Sequence, residues 1–309
     1  MLKPIYILFT MDVEPLKLNP LWTGPEDRES SELYIKHYWN MCSEYGYIPS
    51  FFIHPEAAAL HSELFTKYLH LGSTLGLHVH STKFHYPEYT YEFGYYSAEL
   101  QEEIVSLASK EWETAMGFKP VYFRPGAFSA NDATASTLVK LGFRGGSLSI
   151  PGRIWPERYC VWAGTPPYPH RIHPDFRCAQ GNFEFIDIPL SVDFSSPSSS
   201  NQYFCYEDLR PSGRKSDHGL ILENIVKKIK IDDPKIPIIQ IITHNDQPFD
   251  DPLHESRIRL EATLESINSI CKEYGFKTES STIEKITDLT MALPPDMSGT
   301  WEQDNDVHF

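Results

Sequence analysis

The chain has no Cys-x-x-Cys pair, no apolar run of bilayer length, no excess of basic residues and no glycine-rich nucleotide loop. Each absence removes a class of protein. The five cysteines, Cys42, Cys160, Cys178, Cys205 and Cys271, are odd in number and widely spaced, which argues against both a disulfide framework and a thiolate zinc site. Reduced thiols in a cytoplasm are the simplest reading. The opening MLKPIYILFT is too briefly apolar for a secretory segment and runs directly into acidic residues, which sets the same cytoplasmic expectation. No apolar stretch approaches the roughly 18 residues that span a bilayer. With 27 basic against 42 acidic residues, the formal charge of -15 opposes partnership with nucleic acid or an anionic membrane. Oligomeric state leaves no signature.

What is present is a soluble globular composition, 41% apolar, 13% aromatic and 22% charged, across 309 residues. Strand and helix signals alternate along it. Ile5 to Phe9 is a continuous apolar run, and Tyr34, Tyr38, Met41 and Tyr45 then recur at helical spacing before Gly46. Ile48 to Ile53 reads as a strand, 56–70 as a helix, and Thr74 to Val79 as a strand. A helix starts at Ser97, with Leu100, Ile104, Leu107, Ala108, Trp112 and Ala115 on one face, and ends at Gly117. Strands at Val121 to Phe123, Phe183 to Ile188 and Ile238 to Thr243 alternate with helices at Ala133 to Leu141, near 219–229 and near 255–273. Such alternation implies parallel strands with helices outside, as an open doubly wound sheet or a closed barrel. Arg153 to Gln180 and Ser195 to Ser216 interrupt the pattern and read as long loops. One domain is expected over 1–293, with a frayed acidic tail over 294–309.

The polar residues fall where the predicted strands end. Asp12 and Glu14 are two apart, so strand geometry points both carboxylates the same way, toward a shared metal or base role or, more plainly, a loop cap. His78 and His80 have the same spacing at another strand end, and His85 follows in the adjoining loop. Three imidazoles within eight residues, with a carboxylate near, suit zinc or a related divalent ion. Arg124 and His244 also sit at strand ends, the face on which barrel enzymes build their sites. His54, His61 and His70, on or before a helix, are read as structural.

In the order and context of its motifs over about residues 5–280, the sequence resembles the polysaccharide deacetylases, the family-four carbohydrate esterases. Thr10-Met11-Asp12-Val13 looks like the family's Thr-x-Asp-Asp strand end. Gly76-Leu77-His78, with His80 or His85, looks like its histidine motif; Phe123-Arg124-Pro125-Gly126 looks like its arginine motif, and Ile238 to His244 like its last histidine strand. The resemblance implies an irregular parallel (β/α) barrel of about seven strands. It also implies that Asp12 is the general base, that His78 and a second histidine bind the metal, that Arg124 orients the base and that His244 protonates the leaving amine. A Lewis acid with a separate acid and base suits such a hydrolysis.

Three departures stand out. Val13 replaces the family's second aspartate, so the third ligand falls to Glu14 or Asp12, or is missing. The family's usual second-histidine position holds Thr82, leaving His80 and His85 in competition. The family's Asp/Trp motif has only loose candidates in Asp187, Asp193, Trp155 and Trp162.

Two aromatic clusters, Tyr86, Tyr89, Tyr91, Phe93, Tyr95 and Tyr96 and then Trp155, Tyr159, Trp162 and Tyr168, suit either sugar faces or ordinary loop packing. The expected activity is hydrolysis of a carbon-nitrogen amide bond, most concretely N-deacetylation of an amino sugar or glycan with zinc as cofactor. A related amidohydrolase of a non-sugar amide and a non-catalytic carbohydrate-binding relative are the alternatives.

Overall fold

The computed structural model describes residues 2–19, 23–84, 86, 88–200, 203–212 and 217–295. Chain order runs β1 (Lys3–Val13), α1 (Arg28–Glu44), β2 (Ser50–Ile53), α2 (Pro55–His70), β3 (Leu75–Val79), α3 (Ala98–Met116), β4 (Tyr122–Pro125) and α4 (Thr134–Lys140). Short strands follow: β5 (Gly145–Gly146), β6 (Ile154–Trp155), β7 (Cys160–Val161), β8 (His170–Arg171) and β9 (Ile186–Asp187). The chain continues with β10 (Val192–Ser199), β11 (Phe204–Asp208), α5 (His218–Asp232), β12 (Ile238–His244), α6 (Glu255–Glu273), β13 (Phe276–Ser280) and α7 (Ile283–Met291).

The principal sheet has nine strands in the order β12-β1-β2-β3-β4-β5-β9-β8, with β13 also paired to β1. The seven strands from β12 to β9 are parallel, and β8 adds an antiparallel edge. One flank of β1 is used in sequence, since Lys3 to Ile7 pair with β13 and Thr10 to Val13 pair with β2, while β12 takes the other flank along Tyr6 to Asp12. The sheet curls until its ends approach. Just past β9, the backbone N–H of Ser191 donates to the carbonyl of Gln240 on β12 at 3.3 Å, and the Ser191 hydroxyl accepts from the Gln240 N–H at 2.9 Å. The expected irregular barrel of mainly parallel strands is what the chain forms.

Period two along β1 sorts its side chains into two layers. Ile5, Ile7, Phe9, Met11 and Val13 join the large core shared with Ile35 and Tyr38 of α1 and with Leu260 and Leu264 of α6. Leu8 points the other way, into a smaller core with Phe52, Tyr122, Ile186 and Ile238 inside the curl. Thr10 and Asp12 continue that inner row, and Glu14 follows just beyond the strand. Burying a side chain such as Phe9 or Leu264 contributes about 1.5–3 kcal/mol, so this layering fixes the register firmly. The helices begin on side-chain caps: Asp27 accepts from Ser30 N–H, Ser97 from Leu100 N–H and Asp217 from Leu220 N–H. Gly117 closes α3 at φ 81°, in the left-handed region.

The two interruptions are not plain loops. Arg153 to Gln180 contains β6, β7 and β8, and Ser195 to Ser216 overlaps β10 and contains β11; β10, β11, β6 and β7 form a separate antiparallel sheet. Strands of two residues carry no readable period. The strand β10 includes Pro197 at a register shift, which an edge position permits. Of the expected tail, Pro294 and Pro295 are described and the rest lies outside the described residues. Among the described residues no helix is long and apolar enough to cross a membrane.

Candidate metal centre and active site

The inner row of β1 delivers Asp12 and Glu14 to the C-terminal end of the sheet, where β3 and β4 bring His78 opposite Arg124 and β12 brings His244 opposite Asp12. Val13 is fully buried on the other side. Glu14, His78 and His80 form a cluster in which one ligand atom from each lies within 4.8 Å of the others. Glu14 Oε1 is 3.1 Å from His80 Nε2 and 3.6 Å from His78 Nε2. Asp12 stands beside them, with Oδ2 3.8 Å from His78 Nε2 and Oδ1 accepting from Arg124 Nη1 at 2.5 Å.

Arg124 has no exposed surface. Its Nη1 also donates to Thr10 Oγ1 at 3.1 Å, its guanidinium lies 4.1 Å over the Phe52 ring, and Nη2 donates to Gln240 at 2.7 Å once the amide is oriented to satisfy its neighbours. Removing either partner of such a pair would strand a buried charge, at a cost of about 3–5 kcal/mol. Burial pushes the Asp12 carboxyl up, but the charges of Arg124, His78 and His244 outweigh it and hold it below the usual range. Glu14 is held further down: burial raises it, and His80 and Lys83 more than reverse that. For His244, burial dominates and lowers its pKa, against the opposing charges of Asp12, Asp246 and Glu14.

The donor set suits a divalent ion. The Nδ1 of His78 lies 2.9 Å from the Arg124 carbonyl oxygen, which can only accept, so Nδ1 carries the hydrogen. In the neutral form of His78, Nε2 would present a lone pair to carboxylate oxygens of Glu14 and Asp12; it has no hydrogen-bond partner among the described residues. Lone pairs facing carboxylates repel unless a cation stands between them. The mix of two imidazoles and one carboxylate fits zinc and its neighbours in hardness.

Several residues of the site carried no recognisable pattern in the sequence. Lys83 is buried and its ammonium is 2.8 Å from Glu14 Oε2, anchored on Thr23 through the side-chain oxygen at 2.8 Å and the carbonyl at 3.1 Å. Glu92, also buried, places Oε2 3.4 Å from His80 Nδ1 and accepts from Arg158 Nη1 at 2.6 Å on Oε1. Asn245 braces the backbone of Glu14 on both sides, accepting from its N–H at 2.8 Å and donating to its carbonyl at 3.1 Å. Asn245 directly follows His244, so its place near Glu14 was open to inference from the strand end; Lys83 and Glu92 needed the loop's path.

Gly126 packs against the His80 ring, and a Cβ there would lie 2.2 Å from Nδ1, so no other residue leaves that ring in place. Ala127 and Phe128 follow at φ 53° and 54°, two consecutive non-glycine residues in the left-handed region. Strain of this kind, about 1–3 kcal/mol per residue, concentrates at functional sites. His85, the competitor of His80 in the sequence reading, lies outside the described residues. Among the loose Asp/Trp candidates, Asp187 accepts from Leu148 N–H and from the Ser149 hydroxyl, and Trp162 donates to the Phe128 carbonyl at 2.8 Å. Asp193 binds Ser195 and Ser196, and Trp155 packs on Tyr203.

The sequence matches no family model and no curated protein. Solved structures share the fold at low identity. A protein of Mycobacterium smegmatis assigned as a polysaccharide deacetylase aligns with a TM-score of 0.56 at 15% identity, over 95% of this chain and 93% of its own. A probable polysaccharide deacetylase of Pseudomonas aeruginosa PAO1 gives 0.56 at 13% identity, over 92% and 90%. The Puue allantoinase gives 0.54 at 11% identity, over 92% and 89%. With its curled parallel sheet and this alignment over nearly the whole length, the chain has the fold of the polysaccharide deacetylases.

Proposed function

We propose that the chain is a metal-dependent hydrolase of carbon-nitrogen amide bonds, most concretely an N-deacetylase of an amino sugar or glycan, with zinc as the ion. The observation that carries this reading is the convergence of Glu14, His78 and His80 beside the Asp12–Arg124 pair at one end of the sheet. Those three residues would hold the ion, which when bound supplies Lewis acidity to an amide carbonyl and to water. His85 stays open as a further or alternative ligand.

The remaining steps belong to the chain's own groups. Asp12, kept ionised by Arg124, is the proton acceptor; Arg124 occupies Oδ1 and leaves Oδ2 directed toward the cluster. His244, in register with Asp12 on the neighbouring strand, is placed to hand a proton to the departing amine. Because burial lowers its pKa, His244 rests neutral near pH 7 and must gain its proton within the cycle, with the Asp12 carboxyl as the nearby source. Exposed Tyr91 and Tyr95, stacked with ring centroids 4.0 Å apart, suit a sugar face. The five free cysteines agree with a reducing compartment, hence a cytoplasmic glycan precursor or small amide as substrate.

A second reading is supported by the allantoinase among the fold relatives, which aligns nearly as well as the deacetylases and keeps a non-sugar amide in play. The test is metal analysis of the purified protein together with acetate release from N-acetylated sugars and ammonia or acid release from small amides. Bound zinc, cobalt, nickel or manganese with acetate release is the expected result. A protein that takes up no metal yet binds oligosaccharides would replace this reading with a binding module.

A further inference from the structure

His78 and His80 face the same carboxylate through Nε2, but their other nitrogens meet different partners. The Nδ1 of His78 is served by a backbone carbonyl that belongs to the sheet itself. The Nδ1 of His80 faces Glu92 Oε2 at 3.4 Å, an ion-pair contact in which neither atom has a hydrogen-bond partner among the described residues, and Glu92 belongs to the loop between β3 and α3. Glu92 is 4% exposed and its other oxygen is taken by Arg158, a half-exposed residue of the turn between β6 and β7 in the separate small sheet. A line of contacts therefore runs from the insertion to the cluster: Arg158 Nη1 to Glu92 at 2.6 Å, Glu92 to His80 at 3.4 Å, His80 to Glu14 at 3.1 Å. Gly126 closes the remaining side of the His80 ring. Nothing in the proposed hydrolysis uses Glu92 or Arg158.

We propose that Glu92 is a positioning residue for His80, holding the Nδ1 hydrogen so that Nε2 is the free ligand atom, and that the inserted sheet, through Arg158, sets how tightly the Glu14–His78–His80 cluster holds a divalent ion. The physical basis is general: a carboxylate on the far nitrogen of an imidazole fixes its tautomer and ring angle and raises its basicity as a ligand, and losing it weakens metal affinity by about 10–100-fold. Arg158 matters because a buried carboxylate without a cation would rotate toward solvent or take up a proton. This inference rests on the metal reading above.

The experiment titrates the full-length, metal-stripped protein with cobalt and zinc, using visible absorbance and a competing chelator dye, for wild type, Glu92→Gln, Glu92→Ala and Arg158→Met. Glu92→Ala is expected to weaken affinity by about 10–100-fold and Glu92→Gln by less, since the amide oxygen can still accept from Nδ1. Arg158→Met, at a half-exposed position that does not threaten folding, is expected to weaken it by roughly 3–10-fold, below that range because Glu92 itself is kept. Long-range proton-nitrogen spectra of the zinc-loaded proteins should show one His80 tautomer, with hydrogen on Nδ1, in wild type, and a second appearing in Glu92→Ala. Equal affinity and an unchanged tautomer in all variants overturn the inference while leaving the metal reading intact. Wild type that binds neither ion overturns the metal reading, and this inference with it.

Discussion

The end of β3 and the start of α2 each bury two histidines, and His80 in the first region is treated oppositely to His54 and His61 in the second. In both, removal from water disfavours the charged imidazole. At the end of β3 the carboxylate of Glu14 reverses that effect, aided by Glu92 and against Lys83, and His80 is pushed up to about 9. In α2 the burial term wins, and His61 is lowered to about 4 although Glu32 pulls the other way. His54, which precedes α2, is lowered further, with both ring nitrogens unpartnered among the described residues and its ring edge-on to Phe84. Burial alone therefore does not distinguish a ligand from a structural histidine. What differs is how close a carboxylate stands: Glu14 is 3.1 Å from His80 Nε2, whereas His61 has the Ser31 hydroxyl at 3.0 Å and Glu32 only at 4.0 Å.

Three experiments would sharpen or break this contrast. The largest effect is expected from His78→Ala, which should abolish binding of cobalt or zinc outright, whereas His54→Ala should leave the metal content unchanged. Mass spectrometry of the purified variants decides it, and retention of metal by the His78 variant breaks the contrast. Next comes His244→Ala, which should keep its metal while turnover of the best acetylated substrate falls by ~10²-fold or more, the range for a lost general acid. Loss of the metal there would make His244 a ligand and redraw the site.

The smallest effect concerns His61 and acid. Its folded pKa, about 4, lies below the unfolded value of 6.5, so between those values the unfolded chain binds a proton that the folded chain does not. Its contribution is present in full above pH 6.5 and is lost as pH falls toward 4, a change on the order of 2 kcal/mol. Denaturant midpoints at pH 7 and pH 4.5 should therefore converge in His61→Asn compared with wild type. Parallel slopes in the two proteins would assign the acid sensitivity elsewhere.

The contrast also marks what the sequence made legible. His78 and His80 could be read because period two along a strand, with acids at the same spacing on another, forces side chains onto one face of one sheet end. The long regular elements were readable for the same reason, α3 most clearly, with its serine cap, apolar stripe and closing glycine. The strands β5 to β9 were not, apart from the run around β9, because two paired residues make no period. Lys83 and Glu92 were hidden because a loop brings them to the site, and loop paths follow from tertiary packing rather than from local pattern. Glu14 was recoverable because it stands two places after Asp12, on the same side of the strand and opposite to Val13.

Three acids at this sheet end have a companion of opposite sign: Asp12 has Arg124, Glu14 has Lys83 and Glu92 has Arg158. The consequence is that these three carboxylates are held by cations of the chain itself. A small zinc domain keeps repelling anions together only with its metal, and falls apart when stripped. Here each of the three carboxylates has its own cation, so the metal-stripped protein is expected to stay folded.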